Sequence, residues 1–571
     1  MKNKTTPVKK YIGLILLGIL FLMSEVGFTQ NEGKINIENF HHEVQDDAYI
    51  PSSRNSMETS PAYRFFSTEY FTVQVNIDEN GDNILGDASN EPSIAVDPTN
   101  PDRIVIGWRH FETIESNFRQ AGYGYSTDGG ETWTFPGVIN PGIFRSDPVL
   151  DFDADGNFYY NSLTGNFATD VYKIDDGGVE WGDPVPAFGG DKQWMRIDRT
   201  DGIGAGNNYS FWNLSFSTCS GSFTRSTDGS ESFEDCVSIN NNPIWGTLAV
   251  DAEGVLYLVG RSGSTIRVIK SSSAQNPENE VEWDSFNSVD LDGSLGFQHP
   301  INPAGLLGQL WIDIDISEGP GKGNVYVLAT VDRFSNSDPA DVMFAKSTDG
   351  GETFLPPVRI NDDLGTNNIQ WFGTMAVAPN GRIDVIWLDT RNAPSGTNMS
   401  ELFYSYSIDQ GETWSDNETL SIPFNPNIGY PQQDKMGDYF DMVSDDNGAH
   451  LAWANTISGG QDVYYTHITP SVVLSISENN QTNSLKVKNY PNPFSDETTI
   501  ELFAQNKEHV IIEVFDLLGN KHKTLLNKAI SGNYKVKWNG SNEYGDKLNP
   551  GFYLISVKGE NETSVIKILL E

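Results

Sequence analysis

Ser126-Thr-Asp-Gly-Gly-Glu-Thr-Trp133 returns as Ser226-Thr-Asp-Gly-Ser-Glu-Ser-Phe233, as Ser347-Thr-Asp-Gly-Gly-Glu-Thr-Phe354 and as Ser407-Ile-Asp-Gln-Gly-Glu-Thr-Trp414. Two worn copies lie between them, Ile174-Asp-Asp-Gly-Gly-Val-Glu-Trp181 and a stretch from Ser271 to Trp283. Each good copy follows a short aromatic or β-branched run, such as Tyr123-Gly-Tyr125 or Phe403-Tyr-Ser-Tyr406. That order reads as strand, tight turn, strand. The carboxylates of Asp128, Asp228, Asp349 and Asp409 are placed to accept turn amides, which makes them structural. Glycine supplies the positive φ, and the closing Trp or Phe packs between neighbouring sheets.

A second element keeps step with the first. Seven strand–turn–strand units, 93–108, 147–160, 194–212, 245–259, 311–329, 372–387 and 438–453, recur at spacings of 45 to 66 residues, counted from Val96, Phe152, Ile197, Val250, Ile314, Val377 and Val443. One such unit cannot bury both faces of its sheet, so the units must stack in a ring. The expected fold is all-β: a seven-bladed β-propeller, with six blades as the alternative, followed by a small C-terminal β-sandwich. The last unit lacks a following turn motif and has only Val463-Tyr-Tyr-Thr-His-Ile468, so a strand within 70–77 is expected to complete it.

The Ser-x-Asp-x-Gly-x-Thr-Trp pattern resembles the Asp-box, or BNR repeat, of bacterial sialidases and related propellers. The resemblance covers roughly residues 70–470 and implies either a sialidase-like glycoside hydrolase or a non-catalytic propeller. The family's hydrolases hold the substrate carboxylate with three arginines and use a Tyr–Glu nucleophile pair and an Asp acid/base, outside the usual two-carboxylate scheme. By position, Arg109, Arg333 and Arg391 fill the arginine role, Asp147 the acid role and Tyr439 the nucleophile role. The family's early Phe-Arg-Ile-Pro motif is missing, and Glu91 of Asn90-Glu-Pro-Ser-Ile94 stands where its arginine would be.

In a four-stranded meander the turns joining strands 1–2 and 3–4 share one face, so the Asp-boxes belong there. Ligand groups are then expected at the opposite mouth. The starts of the first strands supply Glu91, Asp147, Trp194, Trp245, Trp311, Trp371, Asp438 and Tyr439, and the ends of the second strands supply Arg109, His110, Arg261, Arg333, Asp389 and Arg391. Aromatic faces stack on sugars and guanidinium forks grip carboxylates, which suits an acidic sugar or a peptide carboxylate. The plainer reading makes the tryptophans inter-blade core and pairs the arginines with the acidic surface.

Of 571 residues, 78 are Asp or Glu and 37 Lys or Arg, a net charge of −41. Residues 31–484 alone carry 66 acidic and 22 basic residues, while 485–571 balance at 11 of each. This argues against nucleic acid or an anionic membrane as partner. No Gly-rich phosphate loop, zinc-spaced cluster or nucleophile elbow occurs, so no cofactor is expected. Asp151-Phe-Asp-Ala-Asp-Gly156 resembles the start of a calcium loop, but Ser162 occupies its twelfth position, leaving a structural calcium without support.

Both ends read as addresses. Lysines 2, 4, 9 and 10 precede the apolar run 11–23, the form of a secretory signal over 1–29, with an uncleaved anchor as the alternative. No other run is long enough for a membrane span. An N-terminal extension (30–69), the propeller (70–470) and a polar linker (471–484) follow. Cys219 and Cys236 sit symmetrically about Asp228-Gly229-Ser230, where a hairpin allows a disulfide, two buried thiols being the alternative. Residues 485–571 carry Tyr490-Pro-Asn-Pro-Phe494, Asp516-Leu-Leu-Gly519, Trp538-Asn-Gly540, Gly551-Phe-Tyr553 and a last strand bearing Lys567. Together these resemble the C-terminal sorting domain recognised by the type IX secretion system, with a carbohydrate-binding sandwich as the alternative. The resemblance implies the secretion machinery as a partner and an extracellular or cell-surface location.

Overall fold

The computed structural model describes residues 47–51, 54–174, 181–336, 338–365, 367–470, 485–516, 520–559 and 563–570. The expected signal peptide, most of the expected N-terminal extension, the expected linker and the inside of the worn copy at 174–181 lie outside them. The chain divides into two compact units, 1–470 and 471–571.

Among the described residues the first unit holds seven antiparallel sheets built on the seven predicted units, and two further two-stranded ribbons, Thr59–Pro61 with Asp82–Ile84 and Phe297–His299 with Asn302–Leu306. Their first strands are Ala88–Val96, Ser146–Phe152, Trp194–Ile197, Leu248–Val250, Trp311–Ile314, Gln370–Val377 and Asp441–Ser444, and the sheets are numbered I to VII in that order. Each first strand neighbours the next, and Asp441–Ser444 returns to Ala88–Val96, so the series closes on itself. Sheet VII is completed from the N-terminal side, as its missing strand requires. Tyr70–Gln74 pairs with Asp462–Ile468 from Tyr70 opposite Ile468 to Gln74 opposite Tyr464.

Side chains of one first strand tie the main chain of the next. Asp441 Oδ2 accepts Ile94 N at 3.1 Å, Ser93 Oγ accepts Leu150 N at 2.8 Å, and Asp151 Oδ2 accepts Ile197 N at 2.7 Å. Arg196 Nε donates to Leu248 O at 3.2 Å, Thr247 Oγ1 accepts Ile312 N at 3.0 Å, and Asp313 Oδ2 accepts Val377 N at 2.8 Å. Six of the seven seams carry such a bond, and at the seventh Arg382 Nη2 of sheet VI donates to Asp445 O and Gly448 O of sheet VII, which fixes register that apolar packing alone would leave free.

The four turns at Asp128, Asp228, Asp349 and Asp409 share one geometry. In sheet I, Asp128 Oδ1 accepts Thr132 N at 2.9 Å and Asp128 Oδ2 accepts Thr132 Oγ1 at 2.6 Å. Ser126 Oγ donates to Asp128 Oδ1 and accepts Gly130 N. Asp228, Asp349 and Asp409 repeat the pattern with Ser232, Thr353 and Thr413. The closing aromatics wedge against the preceding sheet. Trp133 meets Tyr465 of sheet VII, Trp181 meets Tyr123 of sheet I, Trp283 meets Phe223 of sheet III and Trp414 meets Phe344 of sheet V. Gly129 N donates to Asp102 O, so the box lies beside the 1–2 turn.

Sheet III has only three strands. The segment that would be its fourth makes one bridge, Val237 to Phe223, and the disulfide Cys219–Cys236 staples it there.

The second unit is one five-stranded antiparallel sheet with two long strands, Thr498–Asp516 and Lys521–Trp538. The first of these pairs with Leu485–Tyr490 along its start and Gly551–Lys558 along its end. The sheet therefore bends over its own core of Ile500, Leu502, Ile512, Trp538, Ile555 and Ile568.

Candidate functional site

The starts of the first strands, the expected ligand mouth, form a buried plug. The residue five positions before each reference residue is Glu91, Asp147, Lys192, Trp245, Gln309, Phe372 or Asp438, and all seven are buried. Five of them have positive φ: Glu91, Asp147, Lys192, Trp245 and Phe372. In the other two sheets a glycine one residue earlier, Gly308 or Gly437, takes that conformation. The left-handed kink turns these side chains inward.

Four of the seven are charged and meet. Lys192 Nζ lies 3.0 Å from Asp147 Oδ2, 2.7 Å from Asp438 Oδ2 and 3.8 Å from Glu91 Oε1. Lys435 Nζ reaches Asp438 at 2.7 Å and Glu91 at 3.3 Å. Arg109 adds a contact to Glu91 at 3.5 Å. Two long connections are bound over this end, with Leu306 N donating to Asp438 Oδ1 and Asn302 Nδ2 to Gly437 O.

These contacts give the predicted catalytic pair other work. Burial alone would raise the Asp147 carboxyl, but Lys192, Lys435 and Arg109 outweigh it and hold it well below the usual range. A carboxyl so held keeps its charge and does not deliver a proton. Burial pushes the Tyr439 phenol well up, with Glu91 and Asp147 adding to it. Its hydroxyl donates to Pro148 O at 2.8 Å. The expected ligand platforms are interior rings. Trp194 stands edge-on to Trp311 and to Tyr439, at 5.1 and 5.3 Å. Trp371 packs on Phe372 at 4.6 Å, and Trp245 packs against Phe297 with Arg261 above it. His110 is buried and neutral, its pKa lowered to about 3 by burial and by Arg54.

The three arginines have separate partners. Arg109 Nε bonds Asn90 Oδ1 at 2.8 Å. Arg333 grips Asp292 and Asp341, both at 2.6 Å. Arg391 pairs with Asp389 at 2.8 Å and with Asp362. Among the described residues no carboxylate is shared between Arg109 and the other two, so the structure does not assemble a three-arginine grip. Arg109 is held by Glu91 and Asn90, and Arg333 and Arg391 by aspartates beside them.

The open space lies at the other end of the first strands, on the side of the 1–2 turns and of the repeated aspartate turns. A cavity of about 590 Å³ is lined there by all seven sheets, with Val96, Phe152, Ile197, Val250, Ile314 and Val377 among its walls. Its floor is Trp311 and Met375. Below them come Trp194 and Tyr439, and then the ionic plug. The cavity is a blind cup.

Arg196 and Arg199 also line it. Arg199 Nε donates to Phe152 O at 2.9 Å, its guanidinium lies 3.6 Å from the Phe152 ring centre, and it pairs with Asp151. Arg196 faces Asp151 at 3.6 Å, and Asp151, Asp313 and Asp441 together raise its pKa against the desolvation that lowers it.

Lys192, Lys435, Arg196 and Arg199 were not among the expected site residues. Lys192 had a signal, because it aligns with Glu91, Asp147 and Asp438 in the repeat register. Arg196 had one too, since the same position holds Ala95, Asp151, Ala249, Asp313, Ala376 or Met442 in the other units. Lys435 lies in a long connection with no counterpart in other units. Asp153, in the calcium-like turn, bonds Asn157 and Asp155 N of its own loop. Among the described residues no group of three or more His, Cys, Asp or Glu side chains is arranged to hold a metal ion.

Burial pushes Glu91, Asp441 and Asp462 up to about 7. A carboxyl raised in the folded state binds more protons there than in the unfolded chain. Its contribution is therefore full at low pH and lost as pH climbs from about 4 to about 7. Asp147, held low, and Asp349, lowered to about 2 by Ser347 and Thr353, act oppositely and lose theirs below about pH 4. The first unit is therefore expected to resist denaturant best in mild acid, with a lower midpoint on either side. Guanidinium titrations across pH measure this, and Asp441→Asn should flatten the alkaline limb alone.

Residues 488–571 match the family described as secretion system C-terminal sorting domain. The tail implies the type IX secretion machinery and points to export, to the cell surface or the extracellular space. No curated protein matches the chain. Among solved structures, a protein of unknown function from Dyadobacter fermentans is similar at 14% identity and TM-score 0.39, over 70% of this chain and 98% of that one. The BP39L lectin from Burkholderia pseudomallei is similar at 12% identity and TM-score 0.42, over 66% and 98%. PorZ, a surface component of the type IX secretion system of Porphyromonas gingivalis, is similar at 14% identity and TM-score 0.27, over 90% and 74%. Among the described residues no helix is long and apolar enough to cross a membrane.

Proposed function

We propose that this chain is an exported binding protein: a signal peptide at 1–29, an Asp-box propeller of seven blades over 70–470, and a β-sandwich sorting domain over 485–571 that the type IX machinery reads. The propeller takes glycan or protein ligands in the cup on its Asp-box side. One observation carries the choice of binding over hydrolysis. Asp147 and Tyr439, which a sialidase-like reaction would need at the ligand, are buried in an ion-paired plug, while the open volume lies beyond an aromatic floor. A hydrolase needs a proton donor and a nucleophile within reach of the bond it cuts.

Incubation with a fluorogenic sialoside and probing of glycan and peptide arrays test this reading. No turnover is expected. Array binding should be lost when Val377→Trp fills the cup. Turnover abolished by Tyr439→Phe would overturn the proposal in favour of the glycosidase.

A further inference from the structure

The cup's chemistry narrows its occupant. Six aspartates and two arginines are among its lining residues, so its charge is acidic by four. The two arginines are already held from beneath by Asp151, which does not line the cavity. Higher up stand Asp201 and Asp446, both exposed and, among the described residues, without an ion-pair partner, while Asp251 is buried and accepts Glu253 N and Val255 N of its own turn. Between rim and floor the wall is aliphatic, built from Ile197, Val250, Ile314 and Val377. A carboxylate rim above an aliphatic wall matches a side chain with an apolar stem and a cationic head.

The rim adds a second feature. Most of the 1–2 turns are tight, but those of sheets III and V, 198–207 and 315–324, are ten residues each. Each lifts an isoleucine into solvent: Ile203 is 65% exposed and Ile316 46%. Exposed branched aliphatics beside exposed carboxylates are a poor surface for a sugar ring, which stacks on aromatic faces. The one tryptophan of the cup, Trp311, is 3% exposed at its floor. An anionic sugar would meet net repulsion, strengthened by the −44 carried by 31–484.

We propose that the cup is a socket for a basic polypeptide segment, in which a Lys or Arg side chain descends among the rim aspartates and neighbouring apolar residues rest on Ile203 and Ile316. This rests on the reading of the cup as the binding site and names its ligand class. Because the floor is closed by Trp311, Trp194 and the plug, the segment docks across the mouth and inserts one side chain; it does not thread the channel.

Fluorescence anisotropy with three labelled probes tests it: a peptide alternating lysine and leucine, its glutamate–leucine counterpart, and a neutral glucan oligosaccharide. The lysine peptide alone should bind, more weakly as salt rises. Asp201→Asn with Asp446→Asn should weaken it about tenfold, as two lost rim ion pairs would. Ile203→Ser with Ile316→Ser should also weaken it. Glu79→Gln with Asp290→Gln, which removes the same charge from exposed positions in strand 4–1 connections, should not. Equal loss in that control would overturn the proposal, because attraction would then be to the acidic body at large. Glucan or glutamate-peptide binding that Val377→Trp abolishes and the Asp201/Asp446 change does not would also overturn it, while leaving the cup as the site. Probe binding indifferent to Val377→Trp would remove the cup reading itself.

Discussion

Lys192→Met is expected to destabilise the first unit by roughly 3–5 kcal/mol, the range for breaking one partner of a buried charge set. Lys192 is buried and touches Asp147, Asp438 and Glu91. With Lys435 and Arg109 it balances those three carboxylates, and removing it leaves one negative charge without compensation in the interior. Methionine keeps the length and apolar stem, so lost volume is not the cause. Glu91, already pushed up to about 7, is the group best placed to take a compensating proton. The loss should therefore shrink as pH falls from about 7.5 to about 5.5. Adding Asp438→Asn should recover part of the loss at neutral pH. Guanidinium midpoints of the four proteins of the double-mutant cycle measure it; a single-variant change under about 1 kcal/mol would mean the plug is wet.

Much of this architecture is legible in the chain because its signals are local. The repeated turn motif is closed within eight residues, so Ser126 to Trp133 announces its own turn and its own wedge. The missing strand of sheet VII is legible as a gap, since the chain after Ile468 offers no partner strand and Tyr70–Gln74 offers a spare one. The site is less legible, because which end of a ring stays open depends on what fills the other. Trp194, Trp371 and Tyr439 look like ligand groups in sequence and act as filler once the left-handed kinks at Lys192 and Phe372 turn the chain inward. Arginines 109, 333 and 391 share a place in the repeat, yet Arg109 is met by Glu91 while Arg333 and Arg391 are met by Asp292 and Asp389, which lie outside that register. The connections that seal the plug, around Asn302 and Lys435, have no counterpart in other units and carry no periodic signal.

Replacing Tyr70–Gln74 by a Gly/Ser linker of equal length is expected to open the ring. The strand Asp462–Ile468 would lose its partner along five residues. Val73, fully buried between sheets VII and I, would leave the core at a cost of about 1.5–3 kcal/mol. The larger effect follows from the bare edge, which presents unpaired main-chain groups to other molecules. Size-exclusion chromatography should show oligomers or aggregates in place of monomer, and limited proteolysis should cut within 441–468. A monomer as resistant as the parent would mean that the ring does not depend on this strand.

The closed series of sheets is what the plug, the cup and its proposed ligand all require, and a cysteine pair at the closure tests it most directly. Thr72 and Thr466 are paired residues whose hydroxyl oxygens lie 2.9 Å apart, 394 residues apart in sequence. Thr72→Cys with Thr466→Cys should oxidise to a bridge in the folded chain, read by peptide mapping under non-reducing conditions. The bridge should raise the unfolding midpoint strongly, since cross-linking so long a loop is worth about 6 kcal/mol on the chain-entropy rule. Two free thiols after oxidation of the folded protein would contradict the ring.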